Sequence, residues 1–225
     1  AILIGDSLGM VLQGNDDTLP VSIDDMTYHT RSVRQGVEET LVISDMPFMS
    51  YATKEQTYIN ASKLMQAGAN MIKMEGGSWL VETIKGLVER GIPVCGHLGL
   101  TPQSVNKLGG YRVQGRDEAK ANAMIEHAKA LAAAGADCIL LECVPSRLGK
   151  AITEAVDVPV IGIGAGSDTD AQVLVVYDML GLNAGHIPKF VKNFMIDGRT
   201  PQQAIAAYGE EVKAGTFPGS EHEFA

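Results

Sequence analysis

Aromatic side chains make up only 5% of the 225 residues, with a single Trp. Basic residues are also scarce, 18 Lys and Arg against 27 Asp and Glu, giving a net charge of −9 and a pI near 5.0. With no Lys/Arg cluster anywhere, this balance excludes a nucleic-acid-binding surface. Cysteine is limited to Cys95, Cys138 and Cys143, none in a CxxC pair. An odd number of thiols within or beside apolar runs fits a reducing compartment better than a disulfide scaffold, so the cytoplasm is the expected location. No stretch approaches the roughly 18–20 uninterrupted apolar residues of a membrane span. The chain has no initiator Met and opens directly in a strand-like run. It therefore reads as part of a longer protein, and a signal peptide upstream lies beyond this reading.

Hydrophobic residues reach 45% and charged residues 20%, enough for a sizeable core in a single domain over 1–225. Short apolar runs alternate with helical patterns. This predicts an α/β fold with parallel strands near 1–5, 40–44, 70–75, 93–97, 137–142, 159–163 and 172–177. Thr53 to Gln56 reads as a capping-box start for a helix ended by Ala67-Gly68, and Ser78 as the cap of the next. A long helix is expected from Asp117 to Ala134, and a final one opens at Thr200-Pro201. The stretch from Gly68 to Glu75 echoes that from Gly135 to Glu142, as if one βα unit were used twice. A (β/α)₈ TIM barrel needs eight strands. The expectation is such a barrel with its first strand upstream of this chain and a helical extension at the C-terminus. The alternative, an open doubly wound sheet, gathers its ligand at one switch point. Here the polar residues are spread over many strand ends.

Those strand ends carry the chemistry. The runs ILIGDS, TLVISDMPF and MIKMEGG present Asp6, Asp45, Lys73 and Glu75, while CGHLG presents His97 and CILLECV presents Glu142. Buried charge is costly unless paired or bound to a metal. Residues two apart share a face of a strand, so each of these groups is expected to continue an inward column, Asp6 with Ile4 and Asp45 with Ile43. Three converging carboxylates require a cation between them, and hard oxygen ligands point to Mg²⁺, with Mn²⁺ or Ca²⁺ as alternatives. Lys73, with Ser7, is suited to a substrate carboxylate. A metal and a lysine on one small acid suggest a 2-oxo acid whose enolate is stabilised. Glu142, after a very apolar strand and away from any base in sequence, is placed for proton transfer, with burial expected to raise its pKa. His97 is suited to bond a developing oxygen.

Each residue also has a plainer reading: the aspartates as turn caps, Lys73 with Glu75 as a structural pair, His97 as a satisfied core histidine, Glu142 as a partner for a loop amide. The joint pattern is more specific than any member. The run from Gly162 to Gly166 is either a phosphate loop or, as expected, a tight barrel turn. The segment with Gly109, Gly110 and Gly115 is either a cover for the barrel mouth or an exposed connection.

At these residues the chain resembles the ketopantoate hydroxymethyltransferase family. The matching stretches run in order through almost the whole chain: GDSLGM at 5–10, DMPFMSY at 45–51, GANMIKMEGG at 68–77, VCGHLGLTPQSVN at 94–106, GGYRVQGR at 109–116, LLECVP at 140–145, PVIGIGAG at 159–166 and GHIPKFVKNF at 185–194. The resemblance implies Mg²⁺-dependent, aldol-type transfer of a one-carbon unit from 5,10-methylenetetrahydrofolate to 3-methyl-2-oxobutanoate, giving 2-dehydropantoate for pantothenate biosynthesis. It implies Asp6, Asp45 and Glu75 at the metal, Ser7 and Lys73 with the two aspartates at the 2-oxo acid, Glu142 as proton acceptor and His97 beside the product hydroxymethyl group. It also implies a cytoplasmic homo-oligomer, a homodecamer in bacteria. A competing reading is a Mg²⁺ barrel lyase or mutase acting on another 2-oxo acid. Such enzymes usually carry a reactive cysteine in a mobile loop, and 107–117 has none. A non-catalytic barrel would have lost one of the acids, and all are present.

Overall fold

The computed structural model describes residues 1–183 and 185–225. Seven strands, β1 Ile2–Ile4, β2 Val42–Asp45, β3 Met71–Glu75, β4 Val94–Gly99, β5 Cys138–Glu142, β6 Val160–Ile163 and β7 Ala171–Gln172, form one sheet. They pair in parallel and in sequence order, each with the next. Helices connect or follow them: α1 Leu8–Val11, α2 Ile23–Gln35, α3 Lys54–Gln66, α4 Val81–Val88, α5 Val105–Leu108, α6 Glu118–Ala133, α7 Ser146–Ala155, α8 Val176–Met179 and α9 Pro201–Lys213. The result is a curled, half-barrel parallel sheet, and among the described strands β1 and β7 do not pair with each other. No helix among the described residues is long and apolar enough to cross a membrane.

Most expected elements form, for the reasons the residues suggested. Thr53 Oγ1 accepts from the Gln56 amide at the start of α3, although the Gln56 side chain reaches back to the Ala52 N–H rather than closing on Thr53. Thr200 and Gln203 complete a reciprocal capping box on α9, with Pro201 at its first position. Asp117 caps α6 through the Lys120 amide. Two expectations are corrected. The strand expected over 172–177 shrinks to Ala171–Gln172, because the chain turns into α8 at Val176. Ser78 does not cap α4. It opens a short 3₁₀ turn, and its hydroxyl lies 2.7 Å from His127 Nδ1 on α6.

Alternation along the strands creates two apolar layers. Facing the helices, Val42, Ile72, Met74, Val94, Ile139, Leu141 and Val160 pack with Leu64, Ile84 and Leu131. On the concave side Ile43, Met71, Cys95, Cys138 and Leu140 meet Phe190, Phe194 and Phe217 from the chain beyond β7. Filling both faces explains why these strands read as continuous apolar runs.

The expected pairing of Ile4 with Asp6 is corrected. Ile4 belongs to the helix-facing layer and Leu3 to the concave one. Asp6 reaches the concave side because β1 ends at Ile4 and the chain turns at Gly5, so strand alternation no longer applies.

At the end of β4, Gly99 has φ +92 and runs against β5: a Cβ there would lie 2.2 Å from the Glu142 carbonyl oxygen. Gly91 also has a positive φ, +77, but a Cβ there would meet nothing within 4 Å. Gly91→Ala is expected to cost about 1–2 kcal/mol for the left-handed backbone alone. Gly99→Ala should cost roughly 1–3 kcal/mol more, through overpacking. Urea unfolding of the two variants measures the difference, and equal losses would show that the close approach to Glu142 is not what demands glycine.

Candidate active site

The charged groups lie at the C-terminal rim of the sheet, where strand ends and their following loops converge. Asp6 follows β1, Asp45 ends β2, Lys73 and Glu75 lie in β3, His97 lies in β4, and Glu142 ends β5. The register sets Lys73 beside Asp45 and His97 beside Glu75. All are buried except Glu142, whose side chain is 18% exposed.

Protein donors hold one oxygen of Asp6 and of Glu75 and both oxygens of Asp45. The Asp6 N–H donates to Asp45 Oδ2 at 3.0 Å, and the Gln103 side-chain amide donates to Asp6 Oδ2 at 2.7 Å. The Gln103 backbone N–H donates to Glu75 Oε2 at 3.0 Å. Lys73 Nζ forms an ion pair with Asp45 Oδ1 at 3.1 Å and lies 3.1 Å from His97 Nδ1. The lysine is a donor only, so His97 accepts at Nδ1 while Lys73 is charged, which places the neutral ring's proton on Nε2. That Nε2 lies 3.3 Å from Glu142 Oε2 without the alignment of a full hydrogen bond.

The electrostatics follow from this crowding. Burial, then Asp45 and Glu75, raises the Asp6 carboxyl well above its ordinary range. Burial also raises Asp45, against the opposing pull of Lys73. Burial alone would depress Lys73, but Asp45, Glu75 and Asp6 outweigh it and raise it, so the ammonium stays charged. Burial and Lys73 oppose protonation of His97, and the carboxylates Glu142 and Glu75 outweigh them and raise it.

Ser7, half-buried, is the cap position of α1, yet its side chain makes no capping bond. Its Oγ lies over Gly5, where a Cβ would be 3.0 Å from it and 3.7 Å from Asp45 Oδ2. The structure therefore brings together all seven residues singled out from sequence. Glu142 differs from expectation in its setting: it is partly exposed and has His97 as a neighbour. Immediately after it, Cys143 adopts φ 47, a left-handed conformation uncommon outside glycine, as the chain leaves β5. The Cys143 N–H donates to the Ile163 carbonyl, and its own carbonyl accepts from the Gln114 amide, which fixes that turn.

Two residues in the site were not singled out from sequence, Gln103 and Tyr51. Both lie within strand-following motifs, TPQSVN and DMPFMSY, and both are buried. An amide directly after the His97 strand was the available signal. After β6, Gly164 and Gly166 both have positive φ, and Cβ atoms there would lie 2.8 Å from Phe190 and 2.6 Å from Ser146, so close packing requires glycine at both positions. Gly109, Gly110 and Gly115 all have positive φ in an irregular segment after α5, and Tyr111 from this segment reaches Met10 beside the rim.

Among the described residues no group of three or more His, Cys, Asp or Glu side chains is drawn tightly enough to hold a metal ion. The donor set nevertheless fits a hard cation. Glu75 Oε1 is buried without a hydrogen bond, its nearest cationic neighbour being His97 Nδ1 at 3.5 Å, while Asp45 Oδ1 is held only by the Lys73 ammonium, and burial with repulsion from Asp45 and Glu75 raises Asp6. Mg²⁺ usually retains several waters, so its site need not be closed by protein oxygens. Beneath the rim a cavity of ≈ 170 Å³ is bordered by Leu3, Ile43, Lys73, Cys95 and Leu140.

Comparison with known proteins adds an independent line. The sequence pattern for ketopantoate hydroxymethyltransferase matches residues 1–220. The chain is 62% identical over 224 residues to 3-methyl-2-oxobutanoate hydroxymethyltransferase of Alteromonas mediterranea, covering 100% of this chain and 85% of that protein. It is 63% identical over 224 residues to the protein of the same name from Colwellia psychrerythraea, with the same coverage. Among solved structures, it superposes on a putative phosphonomutase from Burkholderia cenocepacia with TM-score 0.56 and 17% identity, over 72% of this chain and 68% of that one. It superposes on 2,3-dimethylmalate lyase, a PEP mutase/isocitrate lyase superfamily member, with TM-score 0.55 and 16% identity, over 99% of this chain and 76% of that one. At such identities the two structures speak for the fold alone, whereas the sequence matches decide descent: this chain belongs to the ketopantoate hydroxymethyltransferase family.

Proposed function

We propose that this protein transfers a one-carbon unit from 5,10-methylenetetrahydrofolate to 3-methyl-2-oxobutanoate with uptake of one water, giving 2-dehydropantoate and tetrahydrofolate, a step of pantothenate biosynthesis. The observation that carries the reading is the convergence of Asp6, Asp45, Lys73, Glu75, His97 and Glu142 on one rim, in a chain 62% identical across its length to a protein of that name. The folate donor rests on family membership. Cytoplasmic location and assembly as a homo-oligomer, a homodecamer by family likeness, belong to the same proposal. So does closure of the half-barrel into an eight-stranded barrel by one further strand between the unpaired edges of β1 and β7.

Asp6, Asp45 and Glu75 would hold Mg²⁺. When bound, the ion supplies Lewis-acid polarisation of a 2-oxo acid's oxygens and offsets the charge that develops there. The chain's own residues do the rest. The Lys73 ammonium, kept charged by three carboxylates, faces the substrate carboxylate, with the free Ser7 hydroxyl beside it. Glu142, at the more open edge of the site, takes the proton from C3, the carbon that then bonds to the one-carbon unit. The Nε2–H of His97, 3.3 Å from Glu142, orients that carboxylate and is placed to donate to the new hydroxyl. Burial of the other groups excludes water from the enolate.

Deuterium exchange at C3 of 3-methyl-2-oxobutanoate isolates this step from folate. Exchange should require Mg²⁺ and fall about 100-fold or more in Glu142→Gln. Metal-independent exchange, or an unaltered rate in that variant, would sink the mechanism. Failure to form 2-dehydropantoate with the folate donor would sink the transferase reading.

A second prediction concerns pH. A carboxyl raised in the folded chain binds a proton over a range where the unfolded chain has released it. Its stabilising contribution is therefore present at low pH and lost as pH rises through the folded value. For Asp6 this means that metal-free protein should lose more stability between about pH 5 and about pH 8 than Asp6→Asn does. Mg²⁺ should raise the urea midpoint of the unsubstituted protein more at the upper pH. Parallel pH profiles for the two proteins would show that Asp6 is not the strained carboxylate.

A further inference from the structure

Gln103 spans more of the site than any residue expected from sequence, and its bonding is one-directional. Its side-chain NH₂ donates to Asp6 Oδ2 at 2.7 Å and to the Met46 carbonyl at 2.9 Å. Its Oε1 accepts from the Tyr51 hydroxyl at 2.5 Å, and its backbone N–H donates to Glu75 Oε2 at 3.0 Å. Gln103, Asp6, Glu75 and Tyr51 are each less than 8% exposed, so water does not replace these partners.

The amide orientation is set by these partners. Turned over, its oxygen would face a carboxylate and a carbonyl, two acceptors against an acceptor, at a buried position where an unsatisfied group is expensive. Tyr51 locks the preferred orientation from the far side. Burial and then Glu75 push its phenol upward, so it remains a donor. Its ring is stacked on Trp79, with centroids 6.2 Å apart and planes 9° apart.

We propose that Gln103 is the positioning residue of the cation site, sorting the carboxylate oxygens so that one of Asp6 and one of Glu75 are left for the metal, with Tyr51 holding its amide in place. The proposal rests on the Mg²⁺ reading above. A neutral amide suits the task. A lysine here would compete with the cation for the carboxylates, and a glutamate would add a fourth negative charge. The 3₁₀ turn Pro102–Ser104 that carries Gln103 leaves the end of β4, so this one residue ties the ends of β1, β2 and β3 to the fourth strand. The buried oxygen it does not bond, Glu75 Oε1, is one of those without any hydrogen bond.

The test is calorimetric titration of Mg²⁺ into the unsubstituted protein, Gln103→Met and Tyr51→Phe. Gln103→Met preserves side-chain volume and the backbone bond to Glu75 while removing the side-chain donors. Its Mg²⁺ Kd is expected to rise about 10-fold, the range seen when a partner outside the ligand set is lost. Tyr51→Phe should raise it roughly threefold, the equivalent of one neutral hydrogen bond. In both, C3 exchange should need more metal for half-maximal rate, and saturating Mg²⁺ should recover most of the lost rate. A Kd unchanged in both variants, with the unsubstituted protein binding Mg²⁺, overturns the role of Gln103 alone. An unsubstituted protein with no Mg²⁺ affinity overturns the cation reading and this proposal with it. If Gln103→Met does not fold, Tyr51→Phe decides: a weakened Kd supports the proposal and an unchanged one overturns it.

Discussion

Carboxylates Asp6, Asp45 and Glu75 and the Lys73 ammonium share one dry rim, each no more than 4% exposed. Charges so placed must be compensated by one another, by hydrogen-bond donors or by a cation, since water is not available to them. Much of the local structure answers that requirement. Lys73 pairs with Asp45, the Asp6 amide turns back onto the same carboxylate, and Gln103 serves the other two. The compensation is incomplete: one lysine stands against three acids, and Glu75 Oε1 is without a hydrogen bond. The charge left on this rim is therefore negative.

The fold makes that concentration of charge tolerable. Parallel strands order their C-terminal ends on one rim, so groups from residue 6 to residue 142 meet although they are distant in sequence. Apolar layers on both faces of the sheet hold the strands in register beneath them. Where the register alone would not deliver a group, a backbone exception does. Gly5 ends β1 early and turns Asp6 inward, and the left-handed Cys143 directs the chain away just after Glu142. Gly99 allows β4 to run close against the Glu142 carbonyl.

The site also divides by accessibility. Asp6, Asp45, Glu75 and Lys73 are sealed, whereas Glu142 keeps part of its surface at the edge. His97 bridges the two zones, touching Lys73 at one nitrogen and Glu142 at the other.

Local patterns were enough to place the strands, the helix caps at Thr53, Asp117 and Thr200, and the seven charged or polar groups at the strand ends. These features are local: apolar runs ending in a charge, a capping oxygen three residues before its amide, a glycine after a helix. Periodicity failed where the chain left a regular strand. It assigned Asp6 to the face of Ile4 and extended the last strand through 172–177, while residue type alone made Ser78 a helix cap, although its hydroxyl lies against His127 instead. Tertiary structure alone decided which oxygens are paired and which are free, that Glu142 has a histidine neighbour, and that Gln103 links three strand ends. Those outcomes depend on contacts between residues as far apart as 6 and 103, and no local pattern encodes the distance across a sheet.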